Sequence, residues 1–156
     1  MTPSIRVLAC GAIDRGDDGV ALRAVRSLSR GARRGAQIDE VGYLSPELLI
    51  GDDPTLSRLV LDCVAGLPCG EIIDLPLSGL PELEARMATT STHALAPGAA
   101  VALAALLGAV RPSDRFLGIG GESFEMGDDL SPAVAAQLGA LAERVATRIA
   151  EAQTCA

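Results

Sequence analysis

Residues 5–28 read IRVLACGAIDRGDDGVALRAVRSL and place an apolar run, a glycine-containing turn and an amphipathic segment in succession. The apolar run predicts a strand over residues 5–10, and the helical spacing of the aliphatic residues after it predicts a helix from Asp17 to about Arg30. Two acids, Asp17 and Asp18, stand side by side where this helix begins. We expect Asp17 to cap the helix by accepting backbone N–H groups, which leaves Asp18 free to face outward.

The same alternation of strand-like and helical patterns continues along the chain and predicts a parallel sheet covered on both faces. The segment RLVLDCV (58–64) is the most apolar and predicts a central strand. GEIIDLPL (70–77) follows after a tight turn, so we expect it to pair antiparallel with that strand at a sheet edge, where Pro76 is tolerated. Residues 79–92 read as a loop with one helical turn. The other predicted elements are strands over 36–44 and 114–120, a short helix from residue 45, an Ala-rich helix and a final helix over 131–153.

These elements predict one three-layer α/β/α domain spanning residues 1–156, with a mostly parallel twisted sheet of about five strands. The net charge of −7 argues against a nucleic-acid-binding protein, because no basic stripe is present to contact phosphates. Such a charge suits a cationic or metal-bearing partner. Four cysteines without a C-x-x-C pair, no recognisable signal peptide and no long uninterrupted apolar segment predict a cytoplasmic protein with free thiols and no membrane partner.

Three residues from separate segments are candidates for one site. Ligands of such sheets collect at the carboxyl ends of the strands, which is where Asp18, Asp62 and His93 are expected. Each has a structural alternative. The helix dipole would stabilise the negative charge of Asp18 in the first turn even if Asp18 bound no ligand. A buried Asp62 could bind hydroxyl or backbone donors, and a lone histidine is more often a satisfied loop residue.

Taken together, two carboxylates and an imidazole suit a divalent first-row metal ion, with imidazole favouring nickel, zinc or copper over magnesium. Standard zinc motifs are absent, and so are a Walker loop, the G-x-G-x-x-G pattern and the G-x-S-x-G elbow. Cys10 and Cys63 read as packed side chains rather than nucleophiles.

The order of these segments resembles the hydrogenase maturation proteases, which remove the C-terminal extension of the nickel–iron hydrogenase large subunit. The likeness is carried by CGAIDRGDDGVALRAV, LVLDCVAGLPCGEIIDL, STHALAPGAAVALAALLG and FLGIGGESFEMGDDLSPAVAAQL. It implies that Asp18, Asp62 and His93 contact nickel and form the catalytic and metal-binding site. The nickel would be carried by the substrate, a hydrogenase large-subunit precursor, and recognised rather than held permanently.

One position departs from that family. Its Gly-Asn turn is Gly11-Ala12 here, so a side-chain amide is missing beside the expected site. An alternative function is therefore a non-catalytic nickel checkpoint or chaperone that binds the loaded precursor without cleaving it. A further alternative is a small-molecule hydrolase or phosphorylase, which would need an anion-binding nest in GAIDRG with Arg15.

Overall fold

The computed structural model of the protein describes residues 2–87 and 96–155. Within these ranges the strands are β1 (Ile5–Cys10), β2 (Ala36–Val41), β3 (Ser57–Ala65), β4 (Ile72–Pro76) and β5 (Arg115–Gly121). The helices are α1 (Val20–Ser27), α2 (Glu47–Ile50), α3 (Leu80–Met87), α4 (Pro97–Leu106) and α5 (Pro132–Thr154). Short 3₁₀ turns at Gly16–Gly19 and Leu77–Gly79 precede α1 and α3.

The sheet has the strand order β2-β1-β3-β5-β4. β1 pairs in parallel with β2 and β3, and β3 pairs in parallel with β5. One apolar cluster packs α1 and α5 on one face, and a second packs α2, α3 and α4 on the other. The predicted three-layer α/β/α fold and the central position of residues 58–64 are confirmed.

The predicted pairing of residues 70–77 with the preceding strand is wrong. β4 pairs antiparallel with β5, the last strand in the chain, and forms the edge of the sheet. β5 is buried from Phe116 to Gly121 and needs hydrogen-bonding partners on both sides. β4 carries Asp74 and Pro76, which an edge strand tolerates.

Two other expectations are corrected locally. The predicted loop over residues 79–92 begins with a helix, α3, because Leu80 and Leu83 pack against the cluster under α4. The helix predicted from Asp17 to Arg30 is an α-helix only over Val20–Ser27, preceded by the 3₁₀ turn. In the described ranges, no helix combines the length and the apolarity that a membrane crossing would require.

The strand order reverses between β1 and β3, because β1 leads outward to β2 on one side and β3 to β5 on the other. In open α/β sheets the crevice outside the carboxyl ends of such strands binds ligands. We call this side of the sheet the carboxyl edge. The residues that follow β1 and those near the end of β3 meet there.

Candidate active site at the carboxyl edge

The turn after β1 holds the carboxylate of Asp18 in a fixed direction. Gly11 has a φ of 124°, and a Cβ there would overlap the backbone carbonyl of Asp18, so only glycine fits. The next residue, Ala12, donates its backbone N–H to Asp18 Oδ2 at 2.8 Å. The turn therefore closes on the half-buried Asp18 and orients its side chain.

The expectation that Asp17 caps its own helix is wrong. Its side chain makes no capping hydrogen bond and is fully buried. Instead, it accepts the backbone N–H groups of Glu122, Ser123 and Ser131 at 2.7–3.0 Å and the Ser131 hydroxyl at 2.6 Å. Burial alone would raise the pKa of Asp17, but these hydrogen bonds outweigh it and hold that pKa below its usual value.

Asp62 lies near the carboxyl end of β3, opposite Gly118 of β5. Side chains alternate along a strand. Asp62 therefore shares its face with Val60 and Val64, which pack toward α2, α3 and α4. Its Oδ1 accepts the N–H of Cys63 at 2.8 Å. Burial, followed by the negative charge of Asp18, raises the pKa of Asp62 to about 7.

The register of β1 with β3 places the end of β1, which leads into the turn that holds Asp18, beside Asp62, and the charge of Asp18 contributes to the raised pKa of Asp62. Both acids also act on Cys10, the last residue of β1, which is 1% exposed. Burial, then the charges of Asp62 and Asp18, raise the pKa of the Cys10 thiol well above its usual value. The thiol of Cys63 is half-buried, and burial with the charge of Asp62 raises its pKa as well. Both thiols are thereby kept protonated, in agreement with the prediction that they are packed side chains.

Glu84 is a third acid near this site, and sequence reasoning did not find it. It lies on α3, and its Oε2 accepts the backbone N–H of Gly98, in the first turn of α4, at 2.9 Å. Burial raises the pKa of Glu84, and its charge contributes to the raised pKa of Asp62. The sequence alone does not show that Glu84 is half-buried, because its burial depends on the packing of α3 against α4.

The third predicted ligand, His93, lies outside the described residues, between Met87 and Ala96 in the chain. Among residues 2–87 and 96–155, no three His, Cys, Asp or Glu side chains are arranged to hold a metal ion. The predicted set of Asp18, Asp62 and His93 therefore remains a prediction, of which the structure describes the two acids.

Four of the six backbone N–H groups of the GAIDRG turn bind protein oxygens, so the turn is a poor anion-binding nest. Gly11 donates to Val41, Ala12 to Asp18, Arg15 to Ala12 and Gly16 to Asp128. A phosphate would have to displace these bonds. The structure thus argues against the phosphorylase alternative.

A cleft of about 170 Å³ lies at the opposite edge of the sheet, at the amino ends of β1, β3 and β5. The guanidinium groups of Arg115 and Arg148 on its wall both pair with Asp74, and Arg148 also pairs with Glu151. These cations thus already have counter-charges, and the acids Asp18 and Asp62 lie at the other edge. We therefore place the candidate site at the carboxyl edge.

Several solved structures are similar to this protein over nearly its whole length. The [NiFe] hydrogenase maturation protease HybD from Thermococcus kodakarensis is 26% identical, with a TM-score of 0.65 over 94% of this chain and 98% of that one. The chain has the hydrogenase maturation protease fold. The hydrogenase maturating endopeptidase HybD from E. coli is 23% identical, with a TM-score of 0.68 over 97% and 93% of the two chains. The maturation protease HycI from T. kodakarensis KOD1 is 19% identical, with a TM-score of 0.62 over 94% and 92%.

No family model matches the chain, and no curated protein matches it in sequence. The resemblance to the hydrogenase maturation proteases that the sequence motifs suggested is confirmed by the structural neighbours. The roles of individual residues do not follow from a shared fold, because function resides in the site. Those roles are proposed below from the geometry.

Proposed function

We propose that this protein is a cytoplasmic endopeptidase that removes the C-terminal extension of a nickel–iron hydrogenase large-subunit precursor. The observation that carries the proposal is the placement of Asp18 and Asp62 at the carboxyl edge: the turn after β1 holds the Asp18 carboxylate, the neighbouring strand β3 carries Asp62, and the charge of Asp18 raises the pKa of Asp62. Two carboxylates held close together repel each other, and a divalent cation placed between them relieves that repulsion. The hydrogenase maturation protease fold supplies the class of substrate that would bring such a cation.

In this proposal Asp18, Asp62 and His93 bind the nickel ion that the precursor carries. Asp18 is pre-oriented by the Ala12 N–H, so little ordering remains to be done on binding. The scissile peptide would then lie beside the carboxyl edge. The attacking water would be activated by a carboxylate or by the substrate's metal.

The test is to mix the purified protein with nickel-loaded precursor and to follow precursor mass by mass spectrometry. We expect C-terminal shortening with the wild-type protein and at least a 100-fold lower rate with Asp18→Asn or Asp62→Asn, in the range seen when one electrostatic contact to the reacting group is lost. Glu82→Gln, an exposed change on α3, is the matched control and should cleave normally. A loaded precursor that stays uncut, while a known maturation protease cuts its own, would refute the proposal.

A second candidate function is a nickel checkpoint that binds the loaded precursor without cutting it. The observation in its favour is Ala12, whose backbone contacts the Asp18 carboxylate but whose methyl group cannot donate or accept a hydrogen bond. This function predicts a nickel-dependent complex with no change in precursor mass. Cleavage that appears only in Ala12→Asn would assign the lost activity to this position.

A further inference from the structure

Two residues of types that often cap helices are bonded to each other across 114 positions of the chain. Asp17 stands at the start of the helical segment after β1, and Ser131 is the N-cap residue of α5. Serine and aspartate are preferred caps because their oxygens accept the free N–H groups of the first turn. Neither makes such a bond here: the Ser131 hydroxyl donates to Asp17 Oδ2 at 2.6 Å.

The Asp17 carboxylate accepts four hydrogen bonds, and both of its oxygens are used. Oδ2 accepts the N–H groups of Glu122 and Ser123 and the Ser131 hydroxyl, and Oδ1 accepts the Ser131 N–H. The backbone N–H of Asp17 donates in turn to the Ser123 carbonyl at 2.7 Å. These contacts fasten both ends of the segment between β5 and α5 to the turn that follows β1.

This clamp acts on the neighbouring residue, Asp18. The backbone of Asp17 is held from the β5–α5 side, and the Asp18 carboxylate is held from the β1 side by the Ala12 N–H. Two further bonds close the same contact, from Gly16 N–H to the Asp128 carbonyl and from Gly127 N–H to the Asp14 carbonyl. The turn therefore cannot rotate Asp18 without breaking contacts with a distant part of the chain.

We propose that Asp17 is a positioning residue, which with Ser131 forms a buried clamp that sets the direction of the Asp18 carboxylate. Helix stability does not account for it, since neither residue caps a helix through its side chain. The clamp leaves the N-cap of α5 without a side-chain hydrogen bond and fixes the turn that carries a predicted ligand. Its effect on cleavage rests on the proposed function, whereas its effect on the Asp18 geometry does not.

The direct test is hydrogen exchange at the Ala12 amide, because that N–H is bonded to Asp18 Oδ2 and reports its position. In Asp17→Asn one carboxylate oxygen becomes an NH₂ group, which would face a backbone N–H donor at either oxygen position. We expect the Ala12 amide to exchange at least tenfold faster than in the wild type, after correction for the change shown by core amides such as that of Leu61. Ser131→Ala removes only the hydroxyl donor and should give a smaller increase in the same direction.

The matched control is Val145→Ala, a buried change on α5 about 20 Å from Ser131 along the helix axis. It destabilises the fold without touching the clamp, so Ala12 should change no more than the core amides do. The double variant Asp17→Asn/Ser131→Ala should exchange no faster than Asp17→Asn alone, because the hydroxyl bond that Ser131→Ala removes ends on the carboxylate that Asp17→Asn has already changed. If Asp17→Asn does not fold, Ser131→Ala against Val145→Ala carries the test.

A second experiment measures the rate at which each variant cleaves nickel-loaded precursor. Misplacing a reacting group by about 1 Å can cost 100-fold in rate, so Asp17→Asn should lower kcat by about 10- to 100-fold, with Val145→Ala close to wild type. Ala12 exchange that follows the core amides in both clamp variants would overturn the proposal. Failure of the wild-type protein to cut the precursor would refute the proposed function instead, and the exchange result would still decide on the clamp.

Discussion

Asp62 shows how a single residue can oppose folding at the place where it serves a site. Its pKa of about 7 lies above the ordinary value of 3.8, so the folded protein binds more protons than the unfolded chain between these two pH values. The contribution of Asp62 to the free energy of unfolding therefore falls as pH rises from about 4 to about 7 and stays low above that range. Ionisation at neutral pH is a cost that a bound cation would relieve.

Replacing Asp62 by Asn should stabilise the apo protein at pH 8. One pKa unit corresponds to about 1.4 kcal/mol, and since water reaches part of the side chain we expect a gain of about 1–3 kcal/mol. The gain should shrink toward zero at pH 4. Urea denaturation of both proteins from pH 4 to 8 measures it, with the exposed Asp129→Asn as the control. Equal stability of Asp62→Asn and wild type at every pH would contradict the raised pKa.

A second prediction at this scale concerns Glu84. Its charge helps to raise the pKa of Asp62, so Glu84→Gln should lower that pKa while the amide oxygen can still accept the Gly98 N–H. Carboxyl ¹³C chemical shifts followed against pH give the value directly. Glu82→Gln, two residues away on the same helix but solvent-exposed, should leave the pKa of Asp62 in place. If both variants give the same pKa, Glu84 does not act on the site.

At the scale of elements, a buried ion pair joins segments on the α2–α4 side of the sheet. Arg58 of β3 pairs with Asp114, just before β5, and both side chains are fully buried. The guanidinium also donates to the Leu49 carbonyl at the end of α2 and to the Ala109 carbonyl after α4. One cation thus satisfies backbone carbonyls that would otherwise be buried without partners.

Breaking this pair should destabilise the protein strongly. Asp114→Asn leaves the Arg58 charge buried without its counter-charge, and we expect a loss of about 3–5 kcal/mol in the free energy of unfolding. Glu82→Gln, which breaks the exposed pair with Arg86, should cost at most about 0.5 kcal/mol. Denaturant titrations of the two variants provide the comparison. Losses of similar size would show that burial of the Arg58 pair carries no special cost.

At the scale of the whole molecule, the two apolar clusters lie on opposite faces of one sheet and share its strands. Adjacent residues of β3 belong to different clusters, as Leu59 and Val60 show. Neither face can lose its helices without exposing strands that the other face also needs. We therefore expect the sheet and the helices on both of its faces to unfold as one cooperative unit.

Two core truncations test this cooperativity. Leu80→Ala on α3 and Leu141→Ala on α5 should each cost about 2–5 kcal/mol, and their sum should equal the loss in the double variant. Calorimetry should show a single transition in every case. A separate low-temperature transition in one variant would mean that its layer unfolds independently.

The errors of sequence-based prediction have one physical source. Helix and strand periodicity depends on nearby residues, so the elements and their order were predictable from aliphatic spacing. The strand that pairs with β4 is β5, which lies more than 35 residues further along the chain. No local sequence pattern indicates which distant strand will pair with it. The role of Asp17 was hidden for the same reason, because its hydrogen-bond donors lie 105–114 positions away.

The sequence by itself determined the three-layer α/β/α architecture, the central position of residues 58–64 and the candidate acids Asp18 and Asp62, because apolar periodicity and the ends of strands can be read from neighbouring residues. Only the tertiary structure decided which strand β4 joins, that Asp17 binds Ser131 rather than its own helix, and that Glu84 adds its charge to the site. Those outcomes depend on which distant donors and charges meet when the sheet closes, and that is a property of packing in three dimensions.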